Sequence, residues 1–220
     1  MERSKPVRIL VADDHDVVRH GLRALIEAQP GWEVCGEATN GQDATEMAKD
    51  LTPDIAILDV FMPLLNGLEA TRLIRKVSPG TEVLIFTMHE SEQLIREVLA
   101  AGARGYLLKS DTGRSLVAAV EALASHRPYF NWKVNETILE GFLRATPTDG
   151  TVGTQEVLTA REREIVQLLA EGMRTREMAA RLGVSVKTIE THRAAVMRKL
   201  GVHSVVDLVH YALRNKIISI

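Results

Sequence analysis

Five side chains of complementary chemistry stand at the ends of short apolar runs. Asp13 and Asp14 follow VRILVA (7–12), Asp59 closes IAILD (55–59), Thr87 closes EVLIFT (82–87) and Lys109 follows GYLL (105–108). Three carboxylates brought together make an oxygen-rich site for a hard divalent cation. Mg²⁺ in particular takes one or two carboxylates together with waters and phosphate oxygens. The Lys109 ammonium would pair with a phosphate as a point charge, and the Thr87 hydroxyl could donate a hydrogen bond to it. Asp59, central in the set, could act as a nucleophile, because aspartates form acyl phosphates. Cation and lysine would then neutralise charge on the transferring phosphoryl group. Taken singly, each residue has a plainer account, since an aspartate after a strand is commonly a helix cap. The set of five points to a site.

The surrounding pattern says what must hold these groups. The runs named above, with WEVCGEA (32–38), are short, rich in Val, Ile and Leu, and almost continuously apolar. That is the character of strands buried on both faces. Between them Val17–Glu27, Gly67–Val77, Ser91–Ala101 and Asp111–Ser125 carry apolar residues at helical spacing, as in Val18, Leu22, Leu25 and Ile26. Alternation of this kind predicts an α/β domain over 5–125: a five-stranded parallel sheet with helices on both faces. In such sheets the ligand site lies beyond the carboxyl ends of the strands, where the five side chains fall.

From 126 to 155 the periodicity weakens. Asn135–Leu143 could form a helix, but RATPTDGTVGTQ (144–155) has no apolar face and reads as a flexible linker. Residues 156–220 return to an all-helical pattern. Thr159 and Glu162 make a capping box, Thr175–Leu182 a short second helix stopped by Gly183, and Ser185 caps a long third helix. Ser204–Asn215, with Asp207 three residues after its cap, is a fourth. Two helices joined by a tight glycine turn form a helix-turn-helix unit. The third helix carries Lys187, Arg193, Arg198 and Lys199, and its first half offers Lys187, Thr188, Glu190, Thr191 and Arg193 to a major groove. Hydroxyls and cations suit phosphates, and a glutamate can accept from cytosine N4. Charge alone would equally suit a solvated helix in a protein-binding unit.

Composition sets the outer limits. Hydrophobic residues make up 45% and charged residues 25% of the 220-residue chain, as in a globular protein. No run of about 18 apolar residues could span a membrane, and the N-terminus lacks the long apolar stretch of a signal peptide. With Cys35 as the single cysteine, an internal disulfide is excluded, and a reducing cytoplasm is the expected compartment. The net charge of −2 conceals an asymmetry: 13 Lys+Arg against 19 Asp+Glu over 1–125, but 11 against 7 over 156–220. An acidic half and a basic half suit a cation and a polyanion respectively.

Longer motifs then carry a family resemblance. ILVADDHDVVRHGL, PDIAILDVFMPLLNGLEA, VLIFTMHE and AGARGYLLKSD resemble the receiver domain of two-component response regulators across 5–125. LTAREREIVQLLAEG and REMAARLGVSVKTIETHRAAVMRKLGV resemble the LuxR-type helix-turn-helix, which joined to a receiver gives the NarL/FixJ class. The resemblance implies that Asp59 accepts phosphate from a sensor histidine kinase. Asp14 would bind Mg²⁺ directly and Asp13 through water, with the Phe61 backbone carbonyl completing the site. Lys109 would contact the phosphoryl group, and Thr87 and Tyr106 would form the switch pair, the Tyr106 ring turning inward as phosphate draws the Thr87 hydroxyl. The output domain would be released to bind promoter DNA as a homodimer through Thr175, Ser185, Lys187, Thr188, Glu190, Thr191, Arg193, Ala194 and Lys199. His192 would pack beneath the helix, and His15, His20, His203 and His210, without metal spacing, read as surface or packing residues.

Departures are specific. Ser110 stands where many receivers carry a cis proline, and Phe61 and His89 occupy the positions that tune dephosphorylation. Arg174-Thr175-Arg176 replaces a common Ser-Asn-Lys. A haloacid-dehalogenase-like hydrolase would need a second aspartate where Phe61 stands. The expected protein is thus no enzyme beyond its own phosphotransfer and slow autodephosphorylation. A receiver that gates DNA binding without phosphate is the remaining alternative, and the complete acidic set argues against it.

Overall fold

A computed structural model of the chain describes residues 5–111, 113–130, 158–202, 204–215 and 217–218. The chain divides into two compact units, Met1–Thr148 and Asp149–Ile220. The predicted helix at 135–143 and the flexible stretch at 144–155 lie outside the described residues.

The first unit alternates strand and helix throughout: β1 (Val7–Ala12), α1 (Asp16–Glu27), β2 (Trp32–Ala38), α2 (Gly41–Leu51), β3 (Ile55–Leu58), α3 (Gly67–Val77), β4 (Glu82–Thr87), α4 (Glu92–Ala101), β5 (Gly105–Leu108) and α5 (Gly113–Ala124). The five strands pair in parallel in the order β2-β1-β3-β4-β5. Successive side chains of a strand face opposite sides, and this splits the apolar runs into two cores. Ile9, Val11, Ile55, Ile57, Leu84 and Leu107 meet Leu22 and Ile26 of α1 and Leu116, Val120 and Leu123 of α5. Leu10, Ala12, Ala56, Leu58, Val83 and Ile85 meet the residues of α2, α3 and α4 on the other face.

Helix α2 has no counterpart among the predicted helices. Its fully buried residues are Gly41, Ala44 and Ala48, with Met47 packed beside them, so its apolar stripe is made of small side chains and its ends help to fix it. Asn40 caps it by accepting from the Asp43 N–H at 2.9 Å. After β3 the loop folds back over Asp59, and Gly67 donates to the Val60 carbonyl at 2.8 Å. A Cβ at Gly67 would lie 1.9 Å from the Asp59 carbonyl oxygen, so only glycine permits this approach.

The second unit contains α6 (Ala160–Ala170), α7 (Thr175–Arg181), α8 (Val186–Leu200) and α9 (Val205–Arg214). The Thr159–Glu162 capping box is present, as is that of Ser204 and Asp207. Ser185 caps α8 by accepting from the Thr188 N–H at 3.0 Å. One core joins Ile165, Leu168, Met178, Ile189, Val196, Leu208 and Ala212. Leu208 and Ala212 therefore close the unit's own interior, and Val205 and Val206 remain exposed at the start of α9.

Candidate functional site

All five predicted groups converge at the carboxyl edge of the sheet. Asp59 follows β3, held by its N–H on the Ala12 carbonyl at 2.9 Å, and its Oδ1 accepts from the Val60 N–H at 2.7 Å. Lys109, beyond β5, donates from Nζ to Asp59 Oδ2 at 2.8 Å. The same ammonium lies 2.6 Å from Asp13 Oδ2. Asp13 and Asp59 thus share the one ammonium as a close ion-pair partner.

Burial raises the pKa of the Asp59 carboxyl by more than the Lys109 ammonium lowers it, and the neighbouring Asp13 charge adds to the rise. For Lys109, burial favours loss of the proton, but the two carboxylates outweigh burial and raise its pKa. The site thus concentrates negative charge beside one buried cation, an arrangement that favours further positive charge.

Ligand atoms of Asp13, Asp14, His15 and Asp59 all lie within 4.8 Å of one another. His15 was not expected there. Its N–H donates to Asp13 Oδ1 at 3.0 Å, and its Nδ1 lies 2.8 Å from Asp14 Oδ1, because the turn into α1 folds the residue back on the two acids preceding it. No spacing rule finds such a contact, since it depends on the turn and not on a second ligand residue. The donor set is dominated by carboxylate oxygens, which fits a hard divalent cation.

Thr87 is fully buried at the end of β4, and its hydroxyl accepts from the His89 N–H at 3.3 Å. Tyr106 is also fully buried: its ring lies inward, with the hydroxyl donating to the His89 carbonyl at 2.7 Å. Burial pushes the phenol far up, so it stays a neutral donor. The His89 ring stands edge-on to Phe61, with ring centroids 4.6 Å apart. His89 therefore touches Thr87, Tyr106 and Phe61 together. Among the described residues no peptide is cis, so the Lys109–Ser110 bond is trans.

In the second unit Lys187, Glu190, Thr191, Ala194 and Arg198 are exposed and recur at three- and four-residue spacing, making one outward stripe along α8. Ser185 is exposed at its start. Thr175, Thr188, His192 and Arg193 are half-buried, Thr188 sharing a 2.8 Å hydroxyl contact with Ser185. Lys199 donates to Glu162 Oε2 of α6 at 2.8 Å, so its charge already has a partner.

The family described as response regulator receiver domain matches residues 9–121, and that described as bacterial regulatory proteins, luxR family, matches residues 156–212. This chain is a LuxR-family response regulator. The regulator is 36% identical over 216 residues to the oxygen regulatory protein NreC of Staphylococcus epidermidis, covering 96% of this chain and 99% of that one. It is similar to the response regulator ChrA of a heme-sensing two-component system, with 31% identity, a TM-score of 0.52, and 98% of this chain and 100% of that one covered. It is also similar to RcsB in a structure of two RcsB dimers bound to two parallel DNAs, with 25% identity, a TM-score of 0.57, and 94% and 97% covered. A receiver joined to a LuxR-type helix-turn-helix makes the regulator a DNA-binding transcription factor of a two-component system. No described helix is long and apolar enough to cross a membrane.

Proposed function

We propose that the regulator is switched by phosphorylation of Asp59 from a sensor histidine kinase with Mg²⁺, in the cytoplasm, and that the phosphorylated form dimerises on promoter DNA. The observation that carries this reading is the buried Asp59–Lys109 pair facing Asp13. Asp13, Asp14 and Asp59, with the Phe61 backbone carbonyl, would hold Mg²⁺, whose role is to offset the charge of the incoming phosphoryl group. A carboxylate oxygen of Asp59 displaces the phosphohistidine nitrogen from phosphorus, giving an acyl phosphate. Lys109 then exchanges part of its pairing with Asp59 for a phosphoryl oxygen. Thr87, at the end of β4, donates its hydroxyl to the phosphoryl group, and the inward Tyr106 ring is the position this favours. The regulator catalyses nothing beyond this transfer and a slow loss of phosphate.

The exposed stripe on α8 supports a groove-facing recognition helix, and the exposed Val205 and Val206 on α9 support pairing of two output units. One such unit reads only a few base pairs, so paired half-sites gain both affinity and register. Binding to DNA with two half-sites should be tighter and cooperative for phosphorylated protein. Equal affinity for one and two half-sites would contradict dimerisation.

A further inference from the structure

Past α5 the chain stays on the receiver. His126 adopts φ 55°, and the N–H groups of His126 and Arg127 close the helix on the carbonyls of Leu123 and Ala122 at 2.8 and 2.9 Å, a closure usually given to glycine. His126 Nδ1 lies 3.0 Å from Glu82 Oε1 at the start of β4, and Arg104 donates to the His126 carbonyl at 3.0 Å. The next residues run along β5, the edge strand. The Tyr129 N–H donates to the Arg104 carbonyl at 2.9 Å, and the Tyr129 carbonyl accepts from the Tyr106 N–H at 3.1 Å. This is a parallel bridge opposite Gly105. Neighbouring residues again divide between faces. Tyr129 packs against the core beneath α1 and α5, and Phe130 against the core that contains Tyr106.

We infer that residues 127–130 are a strap whose docking on β5 depends on the position of the Tyr106 ring, which couples the switch residue to the segment leading to the output domain. Tyr106 meets the strap in two ways, through the N–H it donates to Tyr129 and through the apolar cluster it shares with Phe130. A ring that leaves this cluster takes away surface against which Phe130 packs, and by linkage an undocked strap weakens the inward position. The physiological direction of the coupling rests on the phosphorylation proposed above. The coupling itself needs no phosphate.

Amide hydrogen exchange of the full chain without phosphodonor tests this in wild type, in Tyr106→Ala, and in Tyr106→Phe, which loses only the hydroxyl donated to His89. In Tyr106→Ala the Tyr129 amide should exchange about tenfold faster, while Ile9 and Leu10 in β1 keep their protection. Tyr106→Phe should give a smaller increase at the same amide. An unchanged Tyr129 rate in Tyr106→Ala overturns the strap. If Tyr106→Ala also loses protection at Ile9, Phe130→Ala decides: its Tyr106 amide should exchange about tenfold faster, and an unchanged rate overturns the proposal. Phosphate uptake by the same proteins, read by intact mass with Mg²⁺ and a small phosphodonor, reports on Asp59 alone. Its failure would count against phosphorylation and not against the strap.

Discussion

Lys109 and Asp59, 50 residues apart, meet at 2.8 Å with each side chain only 6% exposed. Neither charge has water to fall back on, so each depends on the other. Removing one partner of a buried pair costs about 3–5 kcal/mol, and Lys109→Met would leave the Asp13 and Asp59 carboxylates facing each other. Urea denaturation of this variant without Mg²⁺ should show a loss of about 3 kcal/mol, partly restored by Mg²⁺. Unchanged stability would mean that the pair is solvated and that the account of the site is wrong.

The Phe61–His89 contact bears on how long a phosphoryl group survives. Phe61 has no atom with which to orient an attacking water, and the His89 ring leans on its face. Phe61→Asn supplies a polar group and removes the ring contact, so loss of phosphate from the purified phosphoprotein should accelerate about tenfold through better positioning of water. A slower loss in the variant would contradict the role given to Phe61.

The five strands were legible because strands buried on both faces are spelled as unbroken apolar runs, and each predicted run lies within one residue of its observed strand. The site was legible for the same reason: its residues sit where those runs stop. What the long apolar runs do not show is carried by weaker signals. Helix α2 fully buries only glycine and alanine, with Met47 packed at the edge of the core, so its apolar stripe is thin. His15 enters the acidic cluster through a local turn. Residues 126–130 fall where the periodicity weakens, and they join the edge of the sheet through backbone groups of Tyr129. In the output unit an apolar stripe on α9 would suit a core or a dimer, and only packing shows that Leu208 and Ala212 belong to the core.

Glu162 provides a dependence on pH. The Lys199 ammonium, helped by the Thr159 N–H, holds its carboxyl below the usual carboxylate range. A group with a depressed folded pKa adds stability above its unfolded value, about 4.3, and that stability is lost as pH falls through the folded value. Glu162→Gln should therefore lower the melting temperature of the output unit at neutral pH, with the gap closing below about pH 4. Solvent screening keeps the effect to about 1 kcal/mol or less. A gap that widens in acid would contradict the assignment.

The same pair allows a test of DNA binding. If Lys199 exchanges Glu162 for a DNA phosphate, Lys199→Ala should weaken binding to all sequences alike and flatten the slope of log affinity against log salt by about one unit. An unaltered slope would mean that the ammonium stays with Glu162.

Phosphorylation of Asp59 is the centre of the account, and peptide mass spectrometry of protein incubated with Mg²⁺ and a small phosphodonor tests it most directly. One phosphoryl group should appear on the peptide containing Asp59, vanish when Mg²⁺ is chelated, and be absent from an Asp59→Asn variant that keeps its fold. Phosphate on another residue, or undiminished labelling of Asp59→Asn, would contradict it.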